Sequence, residues 1–526
     1  MLYLDEDADG RTYPFEAGTM TVDDLERRLQ WLGKSSIQTY IVTVNSAKAN
    51  FPSRVIQSYI EDFDARRGMR QPALGSAPSA WFYRRCANFQ ALFNQGVDSN
   101  AVLLDGARKL GVSPWIGIRM NDIHNGDDPA NCHHTRYWRE HPDLWCAGLD
   151  RPWENTFNYA LPVVRKRMKD FIAEVLERYD GDALQLDYLR WPSFVPYGEG
   201  PQQAPVLTQF MREVRELCRE AGNRRHHPVR LVARVPLTPA NALKLGLDAV
   251  TWAREGITDE LIIGTFRRGM GFDAPIEVWH AEIGNADYPI ALSIDDDYAT
   301  MPGPFTTAGG IAPRYRTDAP ALRGVASAAY QRGAHAIDLF NYMGYLNSGK
   351  PEEFQQCIFH DAVSPETLLN KERLYRISWD DSDLRISDIQ QIAWHPGFWE
   401  TWIAEREKNH VPWTFALPRR IDAGAPAEEF TLHIGPKPEP GAQPTLELLA
   451  APGATAGKIT AAVNGTAFAG AFDGERAELP FPAELLRADA NRVSLRAEEG
   501  GALVTDVAIR LRFGETGSAR RLTSRG

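Results

Sequence analysis

Cysteine is scarce and forms no motif. The 526 residues hold five, Cys86, Cys132, Cys146, Cys218 and Cys357, dispersed and without a CxxC pair. That pattern excludes a zinc ribbon and a disulfide framework. There is no HExxH and no HxH, and the adjacent His133-His134 would point to opposite faces of a strand, so no metal site and no cofactor are expected. No Gly-rich phosphate loop follows any strand-like run, which counts against a dinucleotide-binding open sheet. Basic residues are outnumbered, 58 Lys and Arg against 69 Asp and Glu, for a net charge of −11. That balance argues against a nucleic-acid or anionic-membrane partner. No apolar run is long enough to span a bilayer. Met1–Asp7 has neither a basic start nor an apolar core, so the chain as written reads as cytoplasmic, with no membrane partner.

What is present is a soluble globular composition, 43% hydrophobic and 24% charged, long enough for two or three domains. The chain's centre of organisation is Asp182-Ala183-Leu184-Gln185-Leu186-Asp187-Tyr188-Leu189-Arg190-Trp191-Pro192. Leu184 and Leu186 alternate with Gln185 and Asp187, the period of a strand, and Pro192 ends it. A helix-like run, 163–179, precedes it. Further strands are expected at 2–5, 37–45, 115–121, 230–236, 261–265, 289–295 and 335–341. Helices are expected near 22–32, 54–67, 99–110, 206–221, 276–283 and 319–332. This order of elements predicts a parallel sheet wrapped by helices, and eight strands predict a (β/α)8 barrel over residues 1–378. An aromatic connecting segment follows at 379–413. Short strand-like runs at 430–434, 445–449, 458–463, 492–496 and 507–513 then predict a β-sandwich over 414–513, and 514–526 reads as a disordered tail.

By parity, Gln185 and Asp187 face the barrel axis, with Asp187 at the C-terminal mouth where barrel enzymes keep their chemistry. The same argument brings Asn45, Arg119, Asn121, Asp122, His124, Arg190, Arg234, Asp295 and Asn341 to that mouth. Tyr188 and Trp191 stand beside Asp187 as further candidates for substrate contact. Trp191 is either a sugar platform or a ring packed on Pro192. Many carboxylates, amides and guanidinium groups around one opening suit a hydroxyl-rich ligand. Fourteen tryptophans and seventeen tyrosines supply flat faces for sugars. Glycoside hydrolysis needs two carboxyl groups flanking one bond, and Asp187 and Asp295 are the pair that parity yields. Asp187 is the expected nucleophile or base. Asp295 is the expected general acid, which requires a raised pKa. Their carboxyl groups should lie between about 5 and 9.5 Å apart. Glu282, between Trp279 and Ile283, is expected on the solvent side of a helix; Asp122 and Asp338 are the reserves for the second carboxylate. A non-catalytic carbohydrate-binding barrel and a metal-dependent hydrolase are the alternatives. The sequence carries no indication of oligomeric state.

Three segments also resemble the family-10-like glycosyl hydrolases: Trp115–His124 (WIGIRMNDIH), Arg136–Pro142 (RYWREHP) and Ala183–Pro192 (ALQLDYLRWP). Gly333–Tyr342 (GAHAIDLFNY) is similar to that family's closing strand. The resemblance covers about residues 1–378 and implies a carbohydrate-active barrel. Two departures stand out: Gln185 where the family commonly has an acidic residue, and Asp295 where it has Glu. Val463-Asn464-Gly465 and Asn491–Leu495 resemble the accessory sandwiches of glycosidases.

Overall fold

The computed structural model describes residues 1–12, 14–69, 80–124, 126, 128–146, 155–196, 198–265, 269–300, 314–342, 358–378 and 416–514. The whole expected connecting segment, 379–413, the tail from 515 onward and Cys357 lie outside them.

The strands run in chain order β1 (Leu2–Glu6), β2 (Thr39–Thr43), β3 (Ser113–Arg119), β4 (Ala183–Asp187), β5 (Arg230–Pro236), β6 (Glu260–Gly264) and β7 (Ile290–Ile294). A two-stranded ribbon of β8 (Asp297–Ala299) and β9 (Arg314–Arg316) follows, then β10 (Ala336–Phe340). All but the ribbon form a closed barrel in the order β1-β10-β7-β6-β5-β4-β3-β2, every pair parallel. Leu184 and Leu186 belong to the core under the helices, whereas Gln185 and Asp187 turn inward, as period two requires. The expected (β/α)8 architecture is therefore the observed one.

The helices begin and end on local chemistry. Asp98 accepts hydrogen bonds from the amides of Asn100 and Ala101 to cap Ser99–Lys109, and Asp318 caps Ala319–Gln331 through the amide of Ala321. Gly111 and Gly333, just past those helices, adopt φ of +76° and +101°. The expected helix over 54–67 is not one: only Ala65–Arg67 forms a 3-10 turn. The apolar spacing of Val55, Tyr59 and Phe63 imitates a helix, but the Ser53 hydroxyl and the Arg54 amide donate to Glu174 and hold the segment open. A helix that was not expected, Ala80–Asn94, stands after it and buries Phe82, Cys86, Phe89 and Leu92.

Downstream, β11 (Arg373–Arg376), β12 (Arg419–Asp422), β13 (Glu428–His433), β14 (Ala442–Ala450), β15 (Ile459–Val463), β16 (Thr466–Gly470), β17 (Arg476–Pro480), β18 (Ala490–Ala497) and β19 (Gly501–Phe513) form two antiparallel sheets. Their orders are β11-β19-β14-β17, with β12 also on β19, and β13-β18-β15-β16. Alternate residues of both fill one apolar core, so this is the expected C-terminal sandwich. β11 lies before residue 378 in the chain yet pairs with β19, so the sandwich sheet begins inside the stretch assigned to the barrel. The two parts are pressed together. A Cβ added to Gly324 would stand 1.9 Å from the Leu374 carbonyl oxygen, and Thr300 and Tyr315 donate to Thr505 O and Asp506 Oδ2 at 2.7 and 2.6 Å.

Candidate active site

The barrel interior changes character from one end to the other. Its floor is Tyr3, Ile41, Trp115, Ala183, Val232, Ile262, Ala291 and Ala336. Two residues further along the strands come Asp5, Thr43, Gly117, Gln185, Arg234, Ser293 and Asp338. Asp5 accepts from Thr43 Oγ1 at 3.2 Å and from Gln185 Nε2 at 2.8 Å. Arg234 Nε donates to Ser293 Oγ at 3.1 Å. Neither oxygen of Asp338 meets a donor at hydrogen-bonding geometry among the described residues. Burial, then the charge of Asp5, pushes Asp338 up to about 8. Burial likewise pushes Asp5 up to about 6, with Asp187 adding to it while Arg234, Gln185 and Arg119 oppose.

One step further along their strands, Arg119 and Asp187 stand beside Arg234 through the registers of β3, β4 and β5. Arg234 Nη1 donates to both oxygens of Asp187, at 3.1 and 3.2 Å, and the Leu189 amide donates to Oδ1 at 2.9 Å. Asp187 is only 3% exposed. Arg119 divides its guanidinium between Asp122 Oδ2 and Asp7 Oδ2, both at 2.8 Å, and Asn341 Nδ2 donates to the same Asp7 oxygen at 3.1 Å. Asp122 Oδ1 takes the His124 ring and Trp191 Nε1, the latter at 3.0 Å. Burial opposes ionisation of Asp122, but His124, Arg119 and Arg190 outweigh it and hold the carboxyl well below the usual range. Asp7 is held below its usual value by Arg119, Arg85 and Arg190 against its burial. Burial lowers the His124 imidazole, and the opposing pull of Asp122 does not restore it.

The expected residues thus separate into two groups. Asp187 and Arg234 form a hydrogen-bonded pair, Arg119, Asp122, His124, Arg190 and Asn341 form a second cluster that includes Asp7, and the Phe340 ring lies under arginines of both. Asp295 stands just beyond β7, half-buried; Tyr342 Oη and Thr317 Oγ1 donate to its carbonyl at 2.7 and 3.1 Å, and Arg190 feels its carboxylate. Glu282 is exposed on its helix, as expected.

Three residues, Tyr188, Asn45 and Asn121, are placed differently from expectation, and Trp191 is packed, as one of its two expected readings had it. Tyr188 does not reach the mouth: it shares the outward face of Leu186, donates to Met211 Sδ at 3.0 Å and packs on Phe194 and Trp252. Asn45 uses its whole amide on backbone, donating to Ser46 O and Arg119 O at 2.9 Å and accepting from the Arg119 amide at 3.1 Å. Asn121 donates to Phe157 O and Ser193 O at 2.9 and 2.7 Å and accepts from the Phe157 amide at 2.9 Å. With their polar atoms spent, both side chains shape the mouth. Trp191 is 4% exposed, meets His124 edge-on and belongs to a cluster with Ile123, Trp138 and Trp145, which leaves no open face for a sugar. It holds φ of +58°, a left-handed conformation costly for a bulky residue and fixed here by that packing.

Asp5 and Asp7 are the mouth residues that sequence reasoning missed. Parity along β1 carried the signal, since Tyr3 and Asp5 share one face. Among the described residues no group of three or more His, Cys, Asp or Glu is arranged to hold a metal ion. No helix of the described residues is long and apolar enough to cross a membrane.

No family model matches the chain, and no curated protein matches it. Solved structures similar to it include the α-L-fucosidase isoenzyme 2 of Paenibacillus thiaminolyticus, 14% identical with a TM-score of 0.38, the match covering 68% of this chain and 47% of that one. The PgaB (BpsB) glycoside hydrolase domain of Bordetella bronchiseptica is 10% identical with a TM-score of 0.40, over 69% of this chain and 98% of that one. A chitinase of Chromobacterium violaceum is 10% identical with a TM-score of 0.36, over 68% of this chain and 97% of that one. This chain spans about half the length of the fucosidase it matches, 47%.

Proposed function

We propose that the protein is a glycoside hydrolase acting on an oligo- or polysaccharide, with Asp187 and Asp295 as its paired carboxyl groups. The observation that carries this reading is the gathering of carboxyl, guanidinium and imidazole groups at the C-terminal mouth of a closed parallel barrel, where such barrels do their chemistry. Asp187 is the nucleophile or general base; Arg234 and the Leu189 amide fix its orientation, which matters because a misplaced carboxylate loses its near-attack geometry. Asp295 is the general acid, just beyond β7, three strands around the barrel from the β4 that carries Asp187, and half-buried. His124, Arg190 and Asn341, each half-buried, are the donors within reach of sugar hydroxyls. The separation of the two carboxyl groups in a substrate complex decides the stereochemistry, about 5 Å for retention and 6.5–9.5 Å for inversion.

A non-catalytic carbohydrate-binding barrel is the second reading. It is favoured by the near-complete burial of Asp187 and by the occupation of both its oxygens by Arg234. Release of reducing ends from a polysaccharide panel by the purified protein decides between the two. Hydrolysis that survives dialysis against chelator is expected; loss of activity that added divalent metal restores would replace this mechanism with a metal-dependent one.

A further inference from the structure

Three arginines converge on the ring of Phe340 at the barrel mouth. The guanidinium carbons of Arg234, Arg190 and Arg119 lie 3.9, 5.3 and 5.9 Å from its centroid. Two of them are matched by carboxylates: Arg119 by Asp7 and Asp122, Arg234 by Asp187. Arg190 forms no ion pair among the described residues. Its Nη2 lies 3.4 Å from His124 Nε2, and its buried Nε has no hydrogen-bond partner. The carboxylates whose charge it feels most, Asp122 and Asp187, already accept from other donors. An arginine half-buried over a phenyl ring, with donors unmet and no counter-charge in contact, is an expensive arrangement for a free protein. Its planar fork suits a carboxylate or a sulfate, which two parallel N–H groups can hold at once.

We infer that Arg190 receives an anionic substituent of the saccharide, the carboxylate of a uronic acid or a sulfate ester, so that the substrate is an acidic glycan. This rests on the glycosidase reading only in placing a sugar at the mouth. His124 supports the role: with Nδ1 on Asp122 and its imidazole lowered toward neutrality, it adds no second charge beside Arg190. The site therefore offers one cation for one anion per bound residue.

The test is calorimetric binding of three probes to the full chain carrying Asp187→Asn, which blocks turnover: tetragalacturonate, a sulfated carrageenan tetrasaccharide and neutral cellotetraose. One acidic probe should bind at least ten-fold tighter than cellotetraose, and which one it is separates carboxylate from sulfate. Adding Arg190→Gln should remove about 10- to 100-fold of that affinity, the scale of a charge-assisted pair, and weaken cellotetraose binding far less, so that the acidic preference collapses. Arg190→Lys should recover part of it. If Arg190→Gln fails to fold, Arg190→Lys decides, because it keeps the charge but loses the planar fork: affinity for the acidic probe should fall, and unchanged affinity would overturn the inference. Equal binding of all three probes, binding of none, or acidic preference untouched in folded Arg190→Gln overturns the inference. Arg190-dependent acidic preference without hydrolysis by the wild-type chain would retain it while overturning the glycosidase.

Discussion

The floor of the barrel and the layer above it are built by the same eight strands, equally buried, two residues apart. The floor stacks Tyr3, Ile41, Trp115 and Val232 in apolar contact; one step up stand Asp5, Gln185, Arg234 and Asp338, each 3% exposed or less. Burial alone therefore does not explain the upper composition. Filling that layer with aliphatic side chains would stabilise the barrel, whereas buried carboxyl groups work against it unless each finds a partner. Gly117 shows how space is allotted: a Cβ there would come within 2.8 Å of Thr43 Oγ1 and 3.1 Å of Gln185 Oε1, so the missing side chain makes room for its neighbours' polar ones. The floor serves stability and the upper layer serves the mouth.

The comparison can be broken most directly at Asp187. Asp187→Asn keeps size and should keep the fold by circular dichroism while turnover falls by several orders of magnitude. Unchanged turnover in the folded variant would remove Asp187 from the chemistry. The opposite experiment is Trp115→Ala at the floor. It should cost about 3–5 kcal/mol in a urea melt, the scale for emptying a buried aromatic site, with turnover per folded molecule unaltered. A comparable loss of turnover would show that floor and mouth are one functional unit.

A smaller effect belongs to Asp338. Its folded carboxyl titrates at about 8, far above an unfolded aspartate. The folded state holds a proton that the unfolded state releases, so this contribution to stability is whole below about pH 4 and is lost as pH rises through about 8. Asp338→Asn should flatten the pH dependence of the melting temperature across that window; an unchanged slope would mean that Asp338 does not carry the proton. The smallest effect is expected at the floor's own acid, Glu260, which accepts from Tyr3 Oη at 2.8 Å and is pushed by burial up to about 7. Glu260→Gln should lift stability modestly above pH 7 and leave turnover alone. Altered turnover would again erase the distinction between the two layers.

Parity made much of this barrel legible. Leu184, Gln185, Leu186 and Asp187 fall on the faces that alternation assigns them, and the strand ends that collect Arg119, Arg234 and Asp338 follow from the same rule. The rule was applied incompletely at Tyr188, which one more step of alternation turns outward with Leu186. Asn45 and Asn121 were out of reach for another reason. An amide that binds sugar and an amide that clamps a loop are the same residue in sequence, and only the positions of Phe157, Ser193 and the Arg119 backbone separate them. The helix over Ala80–Asn94 had a readable stripe in Phe82, Cys86 and Phe89. The false helix over 54–67 had one too, and there hydrogen bonds to Glu174, over a hundred residues away, decided the matter.

The pairing of β1 with β10 has a consequence in time. Leu2 meets Ile337 and Asp5 meets Phe340, so the first strand made finds one of its two neighbours only when the barrel is almost wholly synthesised. At typical rates of translation that interval is roughly 20 to 70 s. β11 faces a shorter wait of the same kind, because its partner β19 ends at Phe513. During both waits a growing chain presents unpaired strand edges and apolar strand faces, which is when aggregation competes with folding. Ring closure is thus a late event in the life of each molecule, and yield in the cell should respond more to chaperone supply during synthesis than to the stability of the finished fold.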